Sequence, residues 1–381
     1  MSASFPAKRV KFTSRLRVMG NFVQHLLSLK RRHGAKYVVL YLKASQLAVQ
    51  KYIAGTPVSS LKELMGDMPC RRLDSRGLPM VIPYADRKLI AAGSASVTRC
   101  WLTLFSVYRV IRIPGTLKLS TITDSLSVPD INLVIIGSQL ADLAKLFSYK
   151  FPEIDQEDTE LLFIEKASPS HKSSWIGMFW DANLLRKAGL LDTLFFMIKE
   201  MGLFRLQGQL ENALSLYDSV VKTGICKNLD GPFSSFVKSK EDLLNPLIGQ
   251  LSIKEEAAGK VRVFALVDIW TQSVCKPIHD ALFSFLKTLP NDATFDQTLA
   301  VQRCIEKSNQ GHGSFGYDLS AATDRLPISI QVQILGAFLG LPIAKAWAKL
   351  LVDRDYTLNS KEYGTHSVRY SVGQPMGALS S

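Results

Sequence analysis

Residues 316 to 327 read GYDLSAATDRLP and run directly into a long apolar segment. Gly316, Tyr317, Asp318 and Leu319 form the C-terminal part of an expected strand. Pro327 falls near the first turn of an expected helix, where its missing backbone N–H is tolerated. At a strand-to-helix junction of this kind, backbone geometry can fix side chains more rigidly than in a free loop. The junction also sets two carboxylates, Asp318 and Asp324, six positions apart on either side of small uncharged residues. Two readings stay open for them: a turn aspartate followed by a helix-capping aspartate, or two acids directed toward one cleft.

The rest of the chain is read mainly as helical blocks. Residues 16 to 53 are largely helical, with Leu27, Val39, Leu42 and Leu47 as candidates for burial. Residues 65 to 119 mix turn signals and β-branched runs and form a break. From Ser127, NLVIIGSQLADLAKLF is either a helix or a strand–helix pair. An irregular connection over 152 to 176 precedes the strongly apolar LLRKAGLLDTLFFMIKEMGLF. Beyond residue 246, VRVFALV is an expected buried strand, and KPIHDALFSFLKTL is an expected helix with Pro277 near its beginning. Ile330, Ile334, Leu335 and Phe338 return to one side of the helix after Pro327, which Gly340 and Pro342 separate from AKAWAKLLVDRD.

Charge narrows the partners. No acidic residue precedes Glu63, whereas Lys and Arg recur from Lys8 to Lys62, and this opening supplies nearly all of the net charge of +13. Such a field collects nucleic acid or an anionic membrane, or belongs to a solvated basic tail. RLRVMGNFVQHLLSLKRR, residues 15 to 32, also has the composition of a mitochondrial presequence, and suits part of a folded domain equally well. No apolar run is long enough to span a bilayer as a helix. With 47% hydrophobic and 21% charged residues the chain is expected to be globular, and its five scattered cysteines form neither a disulfide framework nor a zinc pattern.

Three segments carry candidate chemistry. Asp318 is the best candidate for direct metal contact, because carboxylates hold the magnesium ions of nucleotide transfer, and Asp324 suits hydrogen bonding or substrate positioning. Lys260 and Arg262 share a face if residues 260 to 264 are extended. There they would meet phosphates or an RNA backbone, or simply guard a strand against aggregation. In YSVGQPMGALSS, residues 370 to 381, Gly373 and Gly377 permit close approach, and Ser380 or Ser381 offers a hydroxyl to a sugar or base. The alternative is a plain loop entering a helix.

Taken together and in order, SIKEEAAGKVRVFALVDIWTQSVCKPIHDALFSFLKTLP, NDATFDQ, GYDLSAATDRLP and VGQPMGALSS resemble the mitovirus RNA-dependent RNA polymerases, including the mitovirus-like fragments carried in plant mitochondrial DNA. The resemblance is specific over about residues 246 to 381. It implies an α+β fold, a partial right-hand polymerase with predominantly helical fingers, an incomplete palm and no thumb. The implied domains are a basic N-terminal and fingers-associated region (1–126), a fingers region with the phosphate-contacting motif (127–310) and an incomplete palm (311–381).

The resemblance also implies roles. Lys260 and Arg262 would contact nucleotide phosphates and the RNA path. Asp318 would be a magnesium ligand, and Asp324 would act in nucleotide selection through the ribose. Gly373 and Gly377 would belong to a template- and nucleotide-positioning loop, with Ser380 or Ser381 near its helical continuation. Asp268, Gln272 and Asp296 lie in family segments without direct catalytic roles, and His279 packs or hydrogen-bonds within a helix. The implied partners are RNA template and product and ribonucleoside triphosphates, with Mg2+ as cofactor and the mitochondrion as location. The Gly-Asp-Asp hairpin of the family is expected beyond Ser381. The alternatives to a polymerase are therefore a noncatalytic RNA-binding remnant or a nonfunctional mitochondrial pseudogene product.

Overall fold

The computed structural model describes residues 9–66, 72–146, 154, 159–162, 166–222 and 247–380. The chain divides into two compact units: residues 1–117 with 254–262, and residues 118–253 with 263–381. The fold is mixed and predominantly helical, as expected.

The first unit is built on α1 (Arg9–Ile53), whose helical backbone is interrupted at Gly34, φ 82°. Val39 and Leu42 are buried as their spacing predicts, but Leu27 and Leu47 are exposed. Beyond Gly34 the buried arc runs through Val38, Leu42, Ser45 and Val49 at steps of four, three and four. Leu27 and Leu47 fall outside it, so their hydrophobicity alone does not bring them inward. The helices α2 (Lys62–Met65), α3 (Tyr84–Ala91) and α4 (Ala95–Phe105) and a 3-10 helix at Ser106–Val110 also lie in this unit, so residues 65–119, expected as a break between helical blocks, hold two α-helices. Phe22 of α1 meets Trp101 of α4 edge to face, ring centroids 5.6 Å apart. The indole N–H of Trp101 donates to Asp86 at 2.9 Å, and Arg15 donates to the same carboxylate oxygen at 2.5 Å. A buried acid is thereby compensated twice.

The second unit holds α5 (Ser120–Thr123), α6 (Asp130–Leu146), α7 (Ser174–Lys187), α8 (Leu191–Glu200) and α9 (Phe204–Lys222). They are followed by α10 (Ile269–Leu286), α11 (Gln297–Asn309), α12 (Ala322–Arg325), α13 (Ile328–Leu339) and α14 (Leu341–Val352). The segment NLVIIGSQLADLAKL is helical, part of α6, which packs along α13, and Phe147 lies outside the described residues. In α13, Val332 and Leu335 are buried, while Ile330, Ile334 and Phe338 are half-buried.

The strands are β1 (Gly249–Glu256), β2 (Lys260–Val267), β3 (Tyr356–Ser360) and β4 (Gly364–Val368), in the order β2-β1-β3-β4. β1 runs parallel to β3, with Gln250 opposite Thr357, and β3 runs antiparallel to β4, with Leu358 opposite His366. VRVFALV is therefore strand, as expected, but of its residues only Ala265 and Val267 are buried.

Two local expectations are corrected. α10 starts at Ile269 rather than near Lys276, so Pro277 lies in its interior. Asp268 sets the start: its carboxylate accepts from the Thr271 backbone N–H at 2.8 Å and from the Thr271 hydroxyl at 2.6 Å. This N-cap satisfies a backbone donor that the first turn leaves free. Second, residues 316–319 are not a strand. Residues 312–319 are irregular, and Phe315, Tyr317 and Leu319 are 82%, 92% and 74% exposed. Their pattern suits a strand, but a strand needs a neighbour to hydrogen-bond, and the sheet edges β2 and β4 do not pair with this segment.

Candidate functional site

The loop at residues 371–380 is tied by main-chain hydrogen bonds to the turn that carries Asp324. Gly373 N–H donates to the carbonyl of Asp324 at 2.9 Å, and Gln374 N–H donates to that of Thr323 at 3.0 Å. A Cβ on Gly373 would lie 2.2 Å from the Thr323 carbonyl oxygen and 2.6 Å from the carbonyl carbon of Asp324. The glycine is required for that approach. Gly377 makes a second tight contact: at φ 128°, its added Cβ would come 2.3 Å from the carbonyl oxygen of Ala265 on β2. Ala265 N–H in turn donates to the carbonyl of Met376 at 2.8 Å.

Gln272 of α10 clamps the end of the loop. Its side-chain amide donates to the carbonyl of Gly377 and accepts from Leu379 N–H, each at 2.8 Å. His279, one helical stretch farther along α10, lies 2.5 Å through Nδ1 from the carbonyl oxygen of Leu379, which agrees with its hydrogen-bonding reading. The loop does not enter a helix among the described residues. The Ser380 hydroxyl accepts from the indole N–H of Trp347 at 2.8 Å, so it is engaged in packing α14. Ser381 lies outside the described residues.

Asp324 sits in the short α12, half-buried, and accepts from the Thr121 hydroxyl at 2.9 Å. It makes no helix cap; Pro327 occupies the N-cap of α13. Burial pushes the Asp324 carboxyl above its ordinary value, against the opposing pull of the Thr121 hydrogen bond. Its neighbour Arg325 donates to the carbonyls of Asp124 and Ser125, and Ser371 donates through its hydroxyl to the carbonyls of Ile122 and Asp124. Residues 121–125, 323–325 and 371–374 therefore form one hydrogen-bonded junction. Asp318 is not part of that junction; it is exposed on the irregular segment.

Lys260 and Arg262 are both exposed on β2, two residues apart, and group with the first unit, whereas Asp318, Asp324, Gly373, Gly377 and Ser380 group with the second. Arg262 is ion-paired to Glu256 at 2.7 Å and holds that carboxyl below its ordinary value. An incoming phosphate would have to compete with Glu256 for this guanidinium.

A buried charge network lies at the start of α10. Asp268 and Arg354 pair at 2.5 Å with neither side chain exposed, and Arg354 also donates to the Thr271 hydroxyl at 3.0 Å. Asp181 is buried nearby, within 3.4 Å of both the Ile269 N–H and the Ser168 hydroxyl. Burial, and then the charge of Asp268, push its carboxyl up to about 7. The network holds the start of α10, and α10 carries Gln272. The sequence singles out Asp268 and Asp324 but not their partners Arg354 and Thr121, nor Asp181, because each partner is remote in the chain.

No group of three His, Cys, Asp or Glu side chains that would hold a metal occurs among the described residues. Asp318 offers one carboxylate, and Asp324 is engaged with Thr121. The described side chains therefore do not form a magnesium cage by themselves.

A family profile described as Mitovirus RNA-dependent RNA polymerase matches residues 153–381, more than half of the chain. The chain belongs to this mitovirus polymerase family. Among curated proteins, it is 30% identical over 359 residues to the RNA-directed RNA polymerase of Cryphonectria parasitica mitovirus 1, an alignment covering 91% of this chain and 41% of that protein. It is also 32% identical over 103 residues to an uncharacterized mitochondrial protein of Arabidopsis thaliana, covering 26% of this chain and 39% of the relative. This family member thus spans about two fifths of the length of each of these curated relatives. No solved structure matches it.

Proposed function

We propose that the chain is the fingers and partial-palm portion of an RNA-directed RNA polymerase, which adds ribonucleotides to an RNA 3′ end on an RNA template. The observation that carries this reading is the junction at which Gly373 and Gln374 donate to the carbonyls of Asp324 and Thr323. It joins two of the segments through which the sequence resembles a polymerase, in a chain whose family is that of such enzymes.

In this reading Asp324 and Thr121 face the ribose, and the rigid 371–380 loop, clamped by Gln272, sets template and nucleotide in place. Lys260 and Arg262 meet phosphates, with Glu256 holding Arg262 until they arrive. Magnesium, when bound, supplies Lewis-acid charge neutralisation in such reactions. Asp318 is the carboxylate proposed to touch it. The proposed location is the mitochondrion, supported by the name of the Arabidopsis relative.

Primer extension by the 381-residue chain on an RNA template tests the activity. Synthesis that Asp318→Asn abolishes supports the polymerase reading, and absence of extension rules out activity by this chain alone. A second reading, a noncatalytic RNA-binding remnant, is favoured by the basic opening, which has no acidic residue before Glu63. It predicts salt-dependent RNA binding without extension.

A further inference from the structure

RLRVMGNFVQHLLSLKRR, residues 15 to 32, has no part in the polymerase reading. It forms much of α1 ahead of the break at Gly34. One side of it is spent in the core of the first unit: Phe22 and Leu29 are buried, and Phe22 packs on Trp101. The segment is built into a folded unit, so its basic and apolar composition calls for an account within that unit.

A second apolar row lies outside the core. Leu16, Val23 and Leu27 are 50%, 50% and 44% exposed. With Gly20 they recur at steps of four, three and four, so they line one side of the helix. The row is open: a Cβ added to Gly20 would meet no atom within 4 Å. Single exposed aliphatic residues are common on protein surfaces, but three in one row make a continuous apolar strip.

Cations border this strip. Arg17, Lys30 and Arg31 are exposed. Lys30 follows Leu27 by three positions and Arg31 follows it by four, which keeps both beside the row. Arg17 adjoins Leu16 on the next row, the one that Gln24 and Arg31 continue at steps of seven. No residue of α1 is acidic, so the charge that this helix itself sets along the strip has one sign.

RNA and an anionic membrane both take a basic surface, and the apolar strip decides between them. An RNA strand meets cations through its phosphates and offers its bases to flat aromatic or guanidinium groups. It gains nothing from a strip of leucine and valine. A bilayer surface takes both features at once, its phosphates meeting the cations and its acyl boundary the aliphatic side chains. Lysine and arginine stems lie along apolar surface while their heads reach outward. No helix among the described residues is long and apolar enough to cross a membrane, so the geometry is that of a helix lying on the surface.

We propose that the part of α1 before Gly34 docks this protein on an anionic lipid bilayer, with Leu16, Val23 and Leu27 entering the headgroup region and Arg17, Lys30 and Arg31 meeting lipid phosphates. Docking goes beyond the polymerase reading and needs no catalysis: a chain inactive in primer extension still binds vesicles.

The test is flotation of the full 381-residue chain with vesicles of equal parts phosphatidylcholine and phosphatidylglycerol, and with vesicles of phosphatidylcholine alone. Binding is expected to the anionic vesicles, and to weaken as salt rises. Leu16→Gln and Leu27→Gln are each expected to weaken it about fivefold, and Arg17→Gln and Arg31→Gln by about the same factor. Val301→Gln replaces a side chain 57% exposed on α11, and is expected to leave binding unchanged. Val23→Trp adds a fluorophore to the strip, and brominated phosphatidylcholine in the anionic vesicles is expected to quench this variant more than wild type.

No binding to anionic vesicles, or equal binding to phosphatidylcholine alone, overturns the proposal. So do leucine variants that bind as well as Val301→Gln, because the strip then stays in water. Anisotropy of a labelled single-stranded RNA covers the other partner: RNA binding that the two leucine variants leave intact supports a lipid role for the strip, and RNA binding that they weaken as much as vesicle binding overturns it. Leu16 and Leu27 are both exposed, so their variants are expected to fold, and thermal melting checks this. Should one melt early, quenching of Val23→Trp decides, and no gain of quenching over wild type overturns the proposal.

Discussion

Gly373 donates its backbone N–H to the carbonyl oxygen of Asp324 at 2.9 Å, across a gap too narrow for any side chain on the glycine. The contact makes the position of a carboxylate depend on a residue 49 positions later in the numbering, and on the absence of a single methyl group there. Rigidity at this point comes from the backbone, which fixes a side chain better than a free loop does.

Gly373→Ala should therefore destabilise the fold by about 1–3 kcal/mol, the cost typical of overpacking. Relief would require the Asp324 turn to move, because the atoms met are backbone atoms. Gly377→Ala should be at least as harmful, since it adds a strained φ of 128° to a 2.3 Å clash with the Ala265 carbonyl oxygen. Gly316→Ala, with nothing within 4 Å, should stay within about 0.5 kcal/mol. Urea unfolding of the three variants checks the order.

The Thr121 hydroxyl and the Asp324 carboxylate meet at 2.9 Å although they lie 203 residues apart. Thr121→Val removes the hydrogen bond that opposes burial, so the Asp324 carboxyl should titrate still higher. The loss of stability should be about 0.5–1.5 kcal/mol, the net worth of an ordinary hydrogen bond. Carboxyl NMR titration of wild type and variant reads the shift, and no upward movement would remove Thr121 from the site.

Arg354 and Asp268 are both fully buried, and each is costly without the other. Arg354→Met keeps much of the packing volume but leaves the Asp268 carboxylate unpaired, and should cost about 3–5 kcal/mol. Asp268 also caps α10, so the damage should spread to Gln272 and the 371–380 loop. Hydrogen exchange at Leu379, whose N–H donates to Gln272, should quicken in the variant. Unchanged protection there would show that the network and the loop are independent.

Asp181 gives stability a definite pH sign. Its folded carboxyl titrates at about 7 against an ordinary 3.8, so between these values the folded state holds a proton that the unfolded state has released. The contribution of Asp181 is therefore fullest below the ordinary value, and declines as pH rises toward 7 and above. Asp181→Asn keeps a neutral hydrogen-bonding group and removes the titration. Its stability relative to wild type should rise steadily between pH 4 and pH 7. Denaturant melts over that window check the slope, and a flat difference would contradict the assignment.

The sequence was readable where a local rule decides the outcome. β2 follows from its β-branched and apolar run, the division between α13 and α14 follows from Gly340 and Pro342, and Val39 and Leu42 follow from helical spacing. It misled where a distant partner decides. Asp268 starts α10 upstream of Pro277, and Arg354, its partner, is 86 residues away. Tyr317 and Leu319 have strand character, yet no neighbouring strand pairs with them. Gly373 and Gly377 were singled out for close approach, but which backbones they approach is a tertiary fact. Gln272 showed no local signal of its role as a clamp.

Asp318 separates function from folding most cleanly. It is exposed and lies on an irregular segment, so Asp318→Asn should alter stability by no more than about 0.5 kcal/mol. In the proposed reaction the same substitution should abolish primer extension while leaving RNA binding intact, because the residue would act on the reacting phosphates and not on the RNA backbone. Asp324→Asn should behave differently: it disturbs the Thr121 contact as well as the ribose environment, and should lower stability and selectivity for ribonucleotides together. Melting, RNA binding and extension measured on both variants distinguish the roles. An Asp318→Asn chain that extends RNA as well as wild type would remove this carboxylate from the chemistry and leave the RNA-binding reading in its place.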